Sequence, residues 1–240
     1  MIVFGERNRS PIFFKRGDRM DIILLETGKL RFSDVSGYLG CVTRARRERV
    51  ERKKNDSDKL NCLLSELLVL SEITARTGIP QRKIAFDHGS YGKPYLRGSD
   101  LQFSLSHTAP RGDLSRSNTL SQGAICAAFS TGEEIGIDIE SKSRGVSEGL
   151  KKRVLCDEEQ LHVVSGEDVI RMWVKKEAFL KRLGVGITRD LRTVNTLTLP
   201  ETEALDAGEY FVGASGKGAR EAVIRRISAE ELLARFVKLN

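Results

Sequence analysis

Two stretches of this 240-residue chain carry residues whose types and spacing could do chemistry. In the first, Ile135, Ile137 and Ile139 alternate with Gly136, Asp138 and Glu140. Read as a strand, this puts two carboxylates on one face, roughly 7 Å apart at Cα, and three isoleucines on the other. In the second, Trp173, Glu177 and Lys181 recur at i, i+4 and i+8 and share one face of a helix. Facing each other, the two segments would offer three carboxylates and a lysine to one hard cation and the phosphates it holds. No P-loop is needed for this. Gly213-Ala214-Ser215-Gly216-Lys217 lacks the Walker spacing, and Gly184-Val185-Gly186 is not a dinucleotide fingerprint. Taken singly, the Asp-x-Glu pair reads as readily as a solvated strand edge, and Glu177 with Lys181 as a surface ion pair. Trp173, the only tryptophan in the chain, belongs in a packed setting and argues against a merely solvated face.

Three further residues stand near such a site in the same sense. Lys93 lies between Gly92, which lets a backbone come close to a ligand, and Pro94, which stiffens the chain after it. A lysine held there can be presented to a phosphate, or be an ordinary turn lysine. Ser106 and His107 are adjacent in a strand and point to opposite faces, so they form no simple nucleophile–base dyad. By parity His107 sides with Phe103 and Leu105, which fits a buried histidine. Its place at the strand end leaves a ligand-facing role open.

The elements that must position these residues can be read from patterning. Strands are expected at 21–26, 101–107, 124–129 and 135–140, the last two as a hairpin around Thr131-Gly132-Glu133. Leu60, Leu63, Leu64, Leu67 and Leu68 form a helical stripe that Gly78 and Pro80 end. Helices are expected near 157–164 and 167–183, strands near 194–199, 209–214 and 221–227, and a last helix from Ala229 to Val237. Residues 1–20 read as a polar, basic arm and 108–122 as a long polar loop. Strands mixed with segregated helices give an α+β fold, divided into halves at 1–122 and 123–240.

Composition narrows the partners. Lys and Arg outnumber Asp and Glu 40 to 33, a net charge of +7 that favours acidic partners: nucleic acid, phosphorylated molecules, anionic membrane or an acidic protein. The basic run at 42–59 has no interleaved aromatics, which weakens a single-strand nucleic-acid reading. Cys41, Cys62, Cys126 and Cys156 lack zinc spacing, and Cys62 and Cys126 read as small core residues. With no signal-peptide pattern and no apolar run near the ~20 residues of a membrane helix, the expectation is a soluble protein of the reducing cytoplasm.

Gly92-Lys93-Pro94, then Phe103–His107, then Gly136–Glu140, then Trp173…Lys176-Glu177-Ala178…Lys181 with Gly184-x-Gly186, in this order, resembles the 4'-phosphopantetheinyl transferases of the large, monomeric type. The likeness spans about residues 22–190. It implies two similar, pseudo-symmetric α/β halves with the site at their interface. It implies transfer of phosphopantetheine from coenzyme A to a serine of an acidic apo carrier protein, releasing adenosine 3',5'-bisphosphate. In that resemblance Asp138, Glu140 and Glu177 hold Mg²⁺, Glu177 is the base, and Lys181 neutralises charge on the pyrophosphate. Lys93, Ser106 and His107 bind the nucleotide phosphates. Asn61 falls where the family usually has an arginine for the 3'-phosphate region. Lys59 or one of Arg44, Arg46, Arg47 and Arg52 then takes that charge, with Arg46, Arg52 and Lys59 preferred. The other readings of the chain are a basic nucleic-acid binder using 42–59 and an inactive scaffold for carrier or coenzyme.

Overall fold

The computed structural model describes residues 20–108, 123–186 and 190–236. Apart from Met20 and Thr108, the expected arm (1–20) and polar loop (108–122) lie outside these residues, as does Val237. In chain order the elements are β1 (Asp21–Glu26), α1 (Phe32–Val35), α2 (Arg44–Glu51), α3 (Asp56–Thr77), β2 (Phe86–His88), β3 (Pro94–Leu96) and β4 (Leu101–Thr108). Then come β5 (Ala124–Thr131), β6 (Gly136–Ser141), α4 (Glu148–Val154), α5 (Asp157–Gln160), α6 (Gly166–Leu183), β7 (Thr202–Ala207), β8 (Tyr210–Ser215), β9 (Val223–Ile227) and α7 (Ala229–Leu233). Helices and sheets are mixed as the α+β reading expects.

β1 is an unbroken apolar run because both its faces are covered. It lies inside a four-stranded sheet of order β4-β5-β1-β9, antiparallel to β5 and parallel to β9. Ile23 and Leu25, with Ile125, Ala127 and Phe129 of β5, pack against α3. Ile22 and Leu24, with Cys126 and Ala128, face a second core that holds Ile135 just before β6, Ile137 and Ile139 of β6, and Val212 and Ala214 of β8. The five leucines of the expected stripe on α3 are all buried in the first core. Gly78, at φ 72°, closes α3 in the left-handed conformation that a side chain would resist.

β6 belongs to a separate antiparallel sheet of order β6-β8-β7, and α6 lies on its outer face, where Ile170 and Val174 meet Phe211. Ser165 caps α6 in a reciprocal box with Asp168 (3.2 Å from the Asp168 N–H to Ser165 Oγ), and Gly184 ends it at φ 65°.

Three sequence expectations change here. β5 and β6 do not form a hairpin: β5 already has β1 on one edge and β4 on the other, so β6 must find its partner elsewhere, in β8. Residues 194–199 form no strand; a 3₁₀ turn at Leu191–Thr193 leads into turns, and the strand comes later as β7. The division at 122/123 does not coincide with the sheets, since β5 and β9 both join β1. Glu72 on α3 ties that return down: Arg76 beside it, Arg225 of β9 and Arg235 beyond α7 all pair with its carboxylate.

Candidate active site

β4 and β6 are the facing edge strands of the two sheets, and side-chain hydroxyls join them. Ser104, Ser106 and Thr108 occupy alternate positions of β4, so they share one face. Ser104 Oγ accepts from the Ile137 N–H at 3.0 Å, Ser106 Oγ donates to Asp138 Oδ1 at 2.7 Å, and Thr108 Oγ1 donates to Glu140 Oε1 at 2.9 Å. The two carboxylates of β6 are thus set by a hydroxyl ladder on a strand of the other sheet.

α6 completes the centre. Lys181 Nζ donates to Asp138 Oδ1 at 2.7 Å and to Ser106 Oγ at 2.9 Å, closing a triangle of lysine, serine and aspartate. Glu177, one turn earlier, is buried. Its carboxyl is held above the ordinary carboxylate range, first by burial and then by the facing charge of Asp138; Lys181 and Trp173 act the other way. Glu140 is otherwise engaged: Oε1 also accepts from the Ser141 N–H at 3.0 Å, and Oε2 pairs with Arg144. Arg144 in turn stacks on Trp173, 4.0 Å from ring centroid to guanidinium carbon. The expected trio is therefore drawn into one region, with Asp138 and Glu177 near enough to repel as like charges and Glu140 turned to Arg144. Among the described residues no three acidic, histidine or cysteine side chains converge closely enough to chelate a metal.

A cavity of about 330 Å³ opens beside this centre, walled by α2 and α3, by β4, by the turn at 91–94 and by the end of α6. Its cations are Arg46, Arg49, Lys53, Lys93 and Lys181. Arg46 is already paired with Glu66 (2.7 Å), whereas Arg49 and Lys53 make no ion pair among the described residues. Ser65 Oγ, buried on α3 at the cavity wall, has no hydrogen-bond partner among them either, nor does Asn61 Nδ2 one turn before it. An unpaired buried hydroxyl is costly, and a polar atom of a ligand would relieve it. A second hollow of about 250 Å³ adjoins, sharing Arg46, Arg49 and Phe103. The larger hollow of about 530 Å³, between residues 26–30 and 226–230, holds none of the candidate residues, and its Glu26 and Arg226 are paired.

The residues nominated from the sequence divide by place. Asp138, Glu140, Glu177, Lys181 and Ser106 stand together at one end, Ser106 turned to Asp138 rather than to the cavity. His107 is exposed to the cavity, not buried with the apolar residues of β4. Crowding by the surrounding protein lowers its pKa, then Lys181, with Asp58 opposing and Lys53 and Arg49 adding. Lys93 lines the cavity but donates to the carbonyls of Arg182 (2.9 Å) and Ile135 (3.2 Å), tying its turn to the end of α6. Burial lowers its pKa. Arg46 lines the cavity; Arg52 and Lys59 do not. Arg52 caps its own helix through the Glu48 carbonyl, and Lys59 sits 5.5 Å over the Phe32 ring. Arg49, Lys53, Thr108 and Arg144 were not singled out from the sequence. The Ser-x-Ser-x-Thr alternation and the i, i+4 spacing of Glu140 and Arg144 were the signals available.

Comparison with known proteins bears on both halves of this arrangement. A profile described as 4'-phosphopantetheinyl transferase, N-terminal, matches residues 31–114, and one for the 4'-phosphopantetheinyl transferase superfamily matches residues 134–210. The chain belongs to the 4'-phosphopantetheinyl transferase superfamily. The superfamily profile covers Asp138, Glu140, Glu177 and Lys181, while the N-terminal one covers the cavity wall and Lys93, Ser106 and His107. This superfamily member is 30% identical over 157 residues to the L-aminoadipate-semialdehyde dehydrogenase-phosphopantetheinyl transferase of Candida glabrata, a match covering 61% of this chain and 56% of that one. It is 26% identical over 159 residues to the 4'-phosphopantetheinyl transferase of Bacillus subtilis, 64% of this chain and 65% of the relative. The 4'-phosphopantetheinyl transferase psf-1 of Bacillus pumilus is 26% identical over 215 residues, 80% of this chain and 86% of the relative. With the first three relatives the match spans only 56%, 65% and 56% of their length.

Proposed function

We propose that this chain transfers the 4'-phosphopantetheine group of coenzyme A to a serine of an apo acyl or peptidyl carrier protein. The observation that carries the reading is the continuity of a cationic cavity with the Glu177–Asp138–Lys181 centre at its end. In this reading the two helix-on-sheet units, α3 on the four-stranded sheet and α6 on the three-stranded one, are the family's two similar halves, and the substrates meet between them. The nucleotide lies along α2 and α3, where Arg49, Lys53 and His107 face its phosphates and take the role that the sequence suggested for Arg52 and Lys59. Ser65 Oγ gains a partner there.

The reacting pyrophosphate lies beside Lys181. The carrier serine Oγ attacks the phosphorus that bears the pantetheine arm, and the bridging P–O bond breaks. Adenosine 3',5'-bisphosphate leaves with the bridging oxygen. Glu177 takes the serine proton, directly or through water, from its buried place one turn before Lys181. Lys181, positioned by Ser106 and Asp138, neutralises charge that grows on the leaving phosphate.

The donor set fits a divalent cation such as Mg²⁺: all its atoms are carboxylate oxygens, and the repulsion between Asp138 and Glu177 is one a cation relieves. Asp138 and Glu177 would hold it, with Glu140 the third donor if it turns from Arg144. Such an ion supplies electrostatic stabilisation of the pyrophosphate in the transition state. The acceptor is an acidic carrier, matched to the +7 chain, met as a monomer in the cytoplasm. Among the described residues no helix is long and apolar enough to cross a membrane.

Intact-mass spectrometry of an apo carrier after incubation with this protein, coenzyme A and Mg²⁺ tests the reading. A gain of one phosphopantetheine, lost with Glu177→Ala, is expected. Failure to bind coenzyme A would overturn it.

A further inference from the structure

α6 approaches its sheet more closely than any side chain would allow at two positions. A Cβ on Gly213 of β8 would overlap the carbonyl carbon and oxygen of Val174 and come to 3.0 Å from the Val174 Cβ. A Cβ on Gly136 of β6 would overlap the Ala178 carbonyl and the Arg182 N–H. In both cases the obstacle is helix backbone, which cannot step aside as a side-chain end can. Gly213 is the direct cross-strand partner of Asp138, and the turn of α6 that it touches leads straight to Glu177. Its φ is not in the left-handed range, so backbone conformation does not demand glycine there. Only the space does.

We infer that Gly213 is a positioning residue: its missing side chain sets the gap between α6 and the sheet, and so the reach from Asp138 to Glu177 and Lys181. This rests on the transferase reading of that site. The Lys181–Asp138 contact at 2.7 Å leaves no slack. A methyl at Gly213 lifts the helix by on the order of 1 Å, and a misplacement of that size at a reacting centre costs up to ~10²-fold in rate. The part of the wall along which the nucleotide lies is built from α2, α3 and β4 and stays in place; only the α6 end of the cavity, with the turn that Lys93 ties to it, moves with the helix.

The experiment compares wild type, Gly213→Ala, and Gly149→Ala as a control glycine on α4 whose added Cβ would meet only Ser147 Oγ, at 3.9 Å. It uses the mass-gain assay, coenzyme A titration and thermal unfolding. Gly213→Ala is expected to lower kcat ~10–100-fold while KM for coenzyme A moves less than about threefold. Adding Asp138→Glu, one methylene longer, should recover part of the loss in Gly213→Ala while lowering the rate in wild type, a coupling that a merely structural role does not produce. An unchanged kcat, or no such coupling, overturns the inference. If Gly213→Ala does not fold, Gly136→Ala replaces it; if neither folds, the glycines serve folding and the inference is overturned. A wild type that binds coenzyme A but modifies no carrier overturns the transferase reading itself, and this inference with it.

Discussion

Glu177 and Lys181 share a helix face in the sequence, but their environments differ in a way only side-chain geometry explains. Lys181 is neutralised by Asp138, whereas burial first, and then the like charge of Asp138, raises the pKa of Glu177. Glu177→Gln keeps the shape and removes the base. We predict a fall in kcat of ~10²–10⁴-fold with coenzyme A affinity little changed, measured by single-turnover mass spectrometry and calorimetry. At the far end of the cavity, Arg49→Ala and Lys53→Ala should each weaken coenzyme A binding about tenfold, less so at high salt. Arg52→Ala and Lys59→Ala should change it less than about twofold, because neither lines the cavity. Equal effects from all four would mean that long-range charge, not contact, attracts the ligand. The chemistry-bearing types were legible at Asp138, Glu140, Glu177 and Lys181. Which member of a run of eight nearby cations faces the cavity was not, since a short helix turns each by about 100°.

At the scale of elements, the neighbour of the proposed base has a purely internal task. Lys176 is fully buried and paired with fully buried Glu159 of α5, and it donates to the Leu191 carbonyl at 3.0 Å. Burial alone would raise the Glu159 pKa. Lys176, Thr196 and the Cys156 N–H outweigh it and leave that carboxyl below its ordinary value. One pair thus clamps α6 to α5 and to the segment after 190. Lys176→Met strands Glu159 and should cost roughly 3–5 kcal/mol, seen as a lower midpoint in urea. Adding Glu159→Gln should return part of that loss; no recovery would place the cost in lost packing instead. The helical period identified α6, but neighbouring Lys176 and Glu177 look equivalent in sequence. One faces the interior and the other the site because Lys176 turns to Glu159 of α5, while Glu177 shares the face whose Lys181 reaches Asp138 of β6.

For the molecule as a whole, the C-terminal return is the feature a halved reading misses. β9 crosses back to lie parallel to β1, and Glu72 gathers Arg76, Arg225 and Arg235 at that seam. Burial opposes ionisation of Glu72, but the three guanidiniums prevail and hold its pKa at about 2. A folded pKa below the unfolded one contributes stability that is fully present above about pH 4.5. That stability is lost progressively as pH falls from there through about 2, below which both states bind the proton. The shift corresponds to about 3 kcal/mol. Thermal unfolding of wild type should therefore fall steeply across that window. Glu72→Gln should be less stable at neutral pH and flatter in acid; an equally steep profile would assign the acid sensitivity to other carboxylates.

The sequence alone determined what depends on neighbours along the chain. The strict alternation at 135–140 made a strand with isoleucines inward, the leucine stripe made α3, and residues with period 3.6 made the reactive face of α6. It also placed the four motifs in an order distinctive enough to indicate the family. Tertiary structure decided what depends on residues far apart in sequence: that β6 leaves β5 for β8, that β9 joins β1, and that Ser106 and Thr108 orient the carboxylates of another sheet while Ser104 holds its backbone. Local patterning says which face of an element is buried. It carries no information about which other element will cover that face, because any apolar surface of the right size satisfies the same alternation.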